Sequence, residues 1–273
     1  MRPLSLDHLT VIDASPRELI EAAAAGGFQH VGLRIVQPLA AAEVADVIGD
    51  AALKRDLKAA MAATGVSVRL IESIWILPQS DPLALEPALA TGAELGARFV
   101  LVAGNDPERS RLVDRLGRLA DLAQHYALEI AFEFMPFTQV RSYDDAAQIK
   151  RELKRSNLRL LVDALHLSRS GQDFRKLAGF DSSHVSYVHL CDARGAIATS
   201  SDDLRAEARQ NRYDLGGGDL LLGEFLAAMP ADACLGVEIP CQQYAGLPPV
   251  ERGRIAGRAA RDWLASHDRL PVA

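Results

Sequence analysis

Short apolar strand patterns and amphipathic helix patterns alternate from one end of this 273-residue chain to the other, and the alternation runs through eight repeats. LDHLTVID reads as the first strand, and SPRELIEAAAAGG as a helix with Ser15 as N-cap, Pro16 in its first turn and a glycine pair at its end. HVGLRI, VSVRLIE and RFVLVAG follow as strands two to four, separated by helical patterns over Ala41 to Thr64 and Asp81 to Gly96. Pro107 to Tyr126 is an amphipathic helix before the fifth strand, LEIAFEF, and a helix near Tyr143 to Arg155 precedes the sixth, LRLLVD. A short helix near Phe174 to Leu177, the strand SYVHLCD, a helix in GGGDLLLGEFLAAM, the strand CLGVEI and a helix over Val250 to His267 complete the series. Open doubly wound sheets more often stop at about five to seven strands, whereas a closed parallel barrel needs eight strand–helix units. The expected fold is therefore α/β, a single (β/α)8 TIM barrel domain over residues 1–273.

Strands such as FVLV and LRLLV are apolar almost throughout, as strands covered on both faces should be. No glycine-rich phosphate fingerprint follows the first strand, so the nucleotide-binding version of this alternation has no support. With a formal charge of −6 and no basic run, neither nucleic acid nor an anionic membrane is an expected partner. The N-terminal segment places Asp7 and His8 inside its apolar run and lacks the signature of a secretory signal, and no stretch approaches a membrane span. Cys191, Cys234 and Cys241 form no CxxC pair, which suits a reducing, cytoplasmic setting and argues against thiolate zinc ligation.

The strands share one further habit. LEIAFE ends on Glu133, LRLLVD on Asp163, YVHL carries His189, and LGVE ends on Glu238. In a barrel the C-terminal strand ends converge on one mouth, which brings these four residues onto adjacent staves. Three carboxylates and an imidazole crowd together away from water only with a cation among them. Oxygen-rich ligation with one nitrogen and no sulfur suits one divalent ion, Mn²⁺, Mg²⁺ or Co²⁺, with Zn²⁺ also compatible. For each residue alone, a helix cap, a surface ion pair or a satisfied core histidine is the competing explanation.

The order EFMPF, VDALHLSRSG, YVHLCDA, LGGGDL and VEIP resembles the xylose isomerase-like barrel superfamily, often labelled sugar phosphate isomerase/epimerase. Its members include ketose 3-epimerases, inosose isomerases and dehydratases, hydroxypyruvate isomerases, 3-dehydroshikimate dehydratases and, more distantly, endonuclease IV. The resemblance implies that Glu133, Asp163, His189 and Glu238 ligate the metal and that His166 contacts substrate or metal. It also implies that Glu133 and Glu238 act as base and acid on the carbon beside a carbonyl of a ketose or cyclitol, through a metal-stabilised enediolate. Loss of a beta hydroxyl from the same site would instead give a dehydratase of an inosose or a carboxylated ring such as 3-dehydroshikimate. A non-catalytic sugar-binding or partner subunit is the reading from a different class, and a homodimer is the expected assembly.

Several relatives carry a glutamate at the end of strand two, where this chain has Arg34. Facing the mouth, Arg34 would suit a carboxylate on the substrate; facing the helices, it would be a surface cation. Glu72 and Trp75 are candidate polyol contacts at the end of strand three, competing with an ion pair and a rim packing residue. His8 could point into the mouth or be a hydrogen-bonded core residue. The long polar segment Ala193 to Leu215 is either a lid or a surface excursion. Arg194 and Arg212 bracket it as cations expected to be solvated, with Arg212 the preferred substrate contact. Gly216 to Gly218 could offer N–H groups to a phosphate or form a flexible turn with Asp219 as the cap of the next helix. Phe134, Met135 and Phe137 read as apolar rim residues.

Overall fold

The strands form where the apolar runs predict them. In the computed structural model, which describes residues 2–37, 44–174, 181–195, 198 and 200–267, they are β1 (Leu4–Asp7), β2 (His30–Arg34), β3 (Ser67–Ile76) and β4 (Phe99–Gly104), followed by β5 (Glu129–Glu133), β6 (Leu158–Asp163), β7 (Val185–Leu190) and β8 (Cys234–Val237). They lie in sequence order, all parallel, and β1 pairs with β8 to close the barrel. The register aligns the strand ends: Arg34 is opposite Glu72, and Asp163 opposite His189. Glu238 lies one residue past β8.

The helices are α1 (Pro16–Gly26), α2 (Ala51–Thr64), α3 (Glu86–Glu94), α4 (Arg109–His125), α5 (Tyr143–Leu153), α6 (Ala164–Arg169), α7 (Ser201–Gln210), α8 (Leu222–Ala227) and α9 (Pro249–His267). Ser15 and Ser142 start α1 and α5 with reciprocal capping boxes, Ser15 with Glu18 and Ser142 with Asp145, which satisfies orphan N–H groups at each helix start. At the seam, α9 packs on α1 through Gly253 and Gly257, where an added Cβ would run into the α1 carbonyl oxygens of Ala22 and Gly26. Among the described residues no helix is long and apolar enough to cross a membrane.

Several boundaries differ from the sequence expectation, each for a local reason. LDHLTVID is not one strand: β1 stops at Asp7, and His8–Val11 form a 3-10 turn. The helical pattern from Ala41 yields a helix only from Ala51, because Asp50 accepts from the N–H groups of Ala52 and Leu53 and so caps the start there. Ala41 to Glu43 lie outside the described residues. Asp81 to Gly96 divides into a 3-10 turn, Leu83–Leu85, and α3, which begins beside Pro87. The helix near Phe174 falls largely outside the described residues, and α6 follows β6 directly because the Asp163 side chain caps it. The long segment after β7 contains α7. Asp219 does not cap α8; Leu221 occupies that position, without a side-chain bond.

Candidate metal centre

The strand-end residues converge as the barrel closure requires. His189, fully buried, directs Nδ1 toward carboxylate oxygens of Glu133, Asp163 and Glu238 at 3.4, 3.6 and 3.6 Å. Its other nitrogen, Nε2, lies 3.0 Å from Oδ2 of Asp7. Asp7 is itself held by Ser5 Oγ at 2.7 Å and by the Tyr187 hydroxyl at 3.0 Å, so the ring is anchored from the β1 side. Space for that carboxylate comes from Gly32 and Gly236 on the flanking strands, since a Cβ at either would collide with Asp7.

One donor atom from each of Asp163, His189 and Glu238 forms a group within 4.8 Å, and Glu133, Asp163 and His166 form a second such group. Glu133 Oε1 and both His189 ring nitrogens lack a hydrogen bond of good geometry among the described residues. Orphaned buried donors and acceptors that converge on one point fit a bound cation. The donor set, carboxylate oxygens and one imidazole with no thiolate, fits a divalent ion. Burial opposes a proton on His189, yet Glu238, Asp163, Asp7 and Glu133 hold its affinity for one well above the ordinary value. A divalent ion would displace that proton, because a ligating imidazole is neutral.

Arg212 corrects the expectation of a solvated cation. It is 1% exposed, and its guanidinium places Nη1 2.5 Å from Asp163 Oδ2 and Nη2 2.9 Å from Glu238 Oε2. Nε donates to Ala208 O, the last turn of α7 thus fixing the side chain over the strand ends. Burial disfavours ionised Asp163, but Arg212, His166 and His189 together hold it well below the usual carboxylate range. Arg194, by contrast, stays exposed, donating to Gly217 O and lying 5.0 Å from the Tyr213 ring centre.

A cavity of about 600 Å³, open to solvent, lies above the centre. Glu133, Glu238, His166 and Arg212 line one side of it, and Arg34, Glu72 and Trp75 line the β2–β3 side. His166 is buried, edge-on to Phe137 with ring centres 5.5 Å apart, and burial lowers its pKa. Arg34 faces the mouth, with Nη2 3.3 Å from Glu72 Oε2. Burial pushes the Glu72 carboxyl up to about 8 against the pull of Arg34. His8 is the core histidine of the two alternatives: Nδ1 accepts from the Arg34 N–H, and Nε2 sits 3.0 Å from Ala14 O. Those two backbone partners require the neutral ring, and burial lowers its pKa to about 4. The glycines before α8 are not a phosphate cradle, because the Asp192 carboxylate already accepts from the N–H groups of Gly216 and Leu220.

Asp7, Arg205 and Arg209 also belong to this region and carry no signal strong enough to single them out in the sequence. Asp7 ends β1 as the other acids end theirs, and the helical spacing of Arg205, Ala208, Arg209 and Arg212 is one face of α7 extended a turn. Met135 and Phe137 line the cavity, whereas Phe134 is buried in the core.

Comparison with known proteins accords with this fold. The chain is 29% identical over 106 residues to an inosose isomerase of Bacillus subtilis, a stretch that covers 38% of either protein. It is 29% identical over 149 residues to a 3-dehydroshikimate dehydratase of Pseudomonas aeruginosa, covering 52% of this chain and 23% of that one. The matches thus span well under half the length of these two curated relatives. The solved structure of the IolI protein with a bound zinc atom superposes with a TM-score of 0.79 over 98% of this chain and 100% of the other, at 19% identity, a likeness of fold. The match to the family described as xylose isomerase-like TIM barrel runs over residues 20–267, nearly the whole closed barrel, and the chain belongs to that family.

Proposed function

We propose that this chain is a divalent-metal-dependent isomerase or epimerase that moves a proton on the carbon beside a carbonyl of a ketose or cyclitol. The observation that carries the reading is the buried His189 Nδ1 facing carboxylates from three other staves, with Glu133 Oε1 unpartnered beside it. Glu133, Asp163, His189 and Glu238 would hold the ion, and the zinc-bearing neighbour of the same fold supports a metal without deciding which. When bound, such an ion supplies Lewis-acid polarisation of a carbonyl and a neighbouring hydroxyl.

The chain's own residues supply the rest. Glu133 and Glu238 reach the cavity from β5 and from the end of β8, so each can take or return a proton at the carbon between them. Removal by one and return by the other inverts a centre; return to the adjacent carbon isomerises. Asp7 holds the His189 ring in place, and Arg212 orients Asp163 and Glu238. His166, Glu72 and Trp75 line the cavity as substrate contacts, with Phe137 and Met135 excluding water from one side. Loss of water from a polyhydroxylated or carboxylated ring is the second reading, supported by the similarity to a 3-dehydroshikimate dehydratase and by Arg34 on the cavity wall.

Proton NMR in D₂O, with metal-loaded protein and a panel of ketoses, inososes and 3-dehydroshikimate, tests both. Deuterium entering beside the carbonyl, or a new isomer, supports the first reading, and a vinylic signal with loss of water supports the second. No exchange at full metal occupancy across the panel would refute both as stated. Glu238→Gln is expected to lower turnover by about 10²–10⁴-fold while changing substrate affinity little; an unchanged rate would remove its acid–base role.

A further inference from the structure

The cavity holds more cationic charge than the candidate metal centre uses. Arg34, Arg205, Arg209 and Arg212 all line it, against Glu72, Glu133 and Glu238. Arg212 is bound to Asp163 and Glu238, and a divalent ion would take up the remaining charge of the ligand carboxylates. On the opposite side, Glu72 is the one lining carboxylate, and it pairs with Arg34 through a single 3.3 Å contact. Arg34 is only 8% exposed, and its Nε has no hydrogen-bond partner among the described residues. An unpartnered guanidinium nitrogen so deeply buried points to a missing acceptor.

Arg205 and Arg209 stand one turn apart on α7 and face the same cavity. Arg205 lies 5.4 Å from the Phe137 ring centre, and its ion pair is with Asp202, an exposed residue outside the cavity and so a weak competitor. Arg209, exposed on its outer side, has no ion pair among the described residues; partial desolvation on the cavity side, then Arg34, then Arg205 disfavour its charged form. Cations brought within repulsive range of one another around an open cavity are relieved by an anionic ligand. Guanidinium suits a planar carboxylate, which it binds bidentately. The glycine turn before α8 adds no phosphate cradle, because Gly216 and Leu220 are not among the lining residues and their N–H groups donate to Asp192.

We propose that Arg34, Arg205 and Arg209 form a carboxylate subsite across the cavity from the candidate metal centre. The ketose or cyclitol of the reading above would then carry a carboxylate, as a keto sugar acid or a carboxylated ring does; this step narrows the metal-dependent reading and rests on it.

Calorimetric titration of the metal-loaded protein with matched pairs tests it: shikimate against its methyl ester, and galacturonate against galactose, with galactose 6-phosphate as a third arm. At least tenfold tighter binding of the acid in one pair is expected, and Arg209→Gln and Arg34→Met should each abolish that preference. Arg209 is exposed, so its variant keeps the test open should Arg34→Met fail to fold. Acids binding no tighter than their neutral partners, including no binding of either, would overturn the proposal, as would a preference for the phosphate. Mn²⁺ titration of the metal-free wild-type protein separates the two readings. Absent metal binding sinks the metal centre, whereas intact metal binding without acid preference sinks only the subsite.

Discussion

The barrel interior presents two layers built from the same strands one pleat apart. The floor is Leu70, Phe99, Leu101, Ala131, Leu161 and Tyr187, a closed apolar cluster. Two residues further along their strands, Leu70, Ala131, Leu161 and Tyr187 are followed by Glu72, Glu133, Asp163 and His189. A strand side-chain period of two puts both sets inside the barrel, separated by about 7 Å of rise. The apolar core and the candidate ligands thus differ in depth along the same strands. The layers meet at Tyr187, whose ring packs edge-on to Phe99 in the floor while its hydroxyl reaches Asp7 in the mouth.

If depth separates stability from ion binding, changes in the two layers should fail differently. Asp163→Ala, in the mouth, should abolish measurable Mn²⁺ binding in a calorimetric titration; wild-type affinity would overturn the assignment of ligands. Phe99→Ala, in the floor, should cost about 3–5 kcal/mol in denaturant unfolding and leave metal affinity of the folded protein unchanged. A parallel loss of metal affinity would mean that the layers are not separable.

His8 offers a pH probe beside the mouth that no candidate ligand shares. Its pKa is lowered from 6.5 to about 4, so the unfolded chain binds the proton more readily. Its contribution to stability is therefore full above about pH 6.5, falls as pH drops toward about 4, and amounts to about 3 kcal/mol across that window. Thermal melts should show a shallower acid loss in His8→Gln than in the wild type, and equal slopes would refute it. The smallest effect is expected from Asp7→Asn, which keeps the shape but weakens the anchor of His189. It should lower metal affinity by about 10–100-fold with little change in melting temperature, and unaltered affinity would show that the ring needs no anchor.

The strand-end acids and His189 were legible because each follows an apolar run, where an ionised group requires compensation. The boundary of α2 was not, since alanine-rich helical periodicity continues upstream of Asp50 while the cap decides the start. Arg34 stayed ambiguous because alternation gives a period and no phase. Pairing opposite Glu72 supplies the phase. Arg212 was misread for a different reason: DLRAEARQNRYDL is mostly polar and looks solvated, and only the tertiary contacts of Arg212, two residues past α7, with Ala208 O, Asp163 and Glu238 bury it.

The sequence by itself determined the eight-fold strand–helix alternation and the chemical character of the strand ends, because both arise from periodicities a few residues long. Tertiary structure alone decided which charge answers which: Arg212 with Asp163 and Glu238, Asp7 with His189, Arg34 with Glu72. These partners lie tens to hundreds of residues apart in the chain; pairing of β2 with β3, closure of β1 on β8 and the seating of the segment after α7 bring them within a few ångströms, where Coulomb attraction between buried groups is strong enough to choose among them.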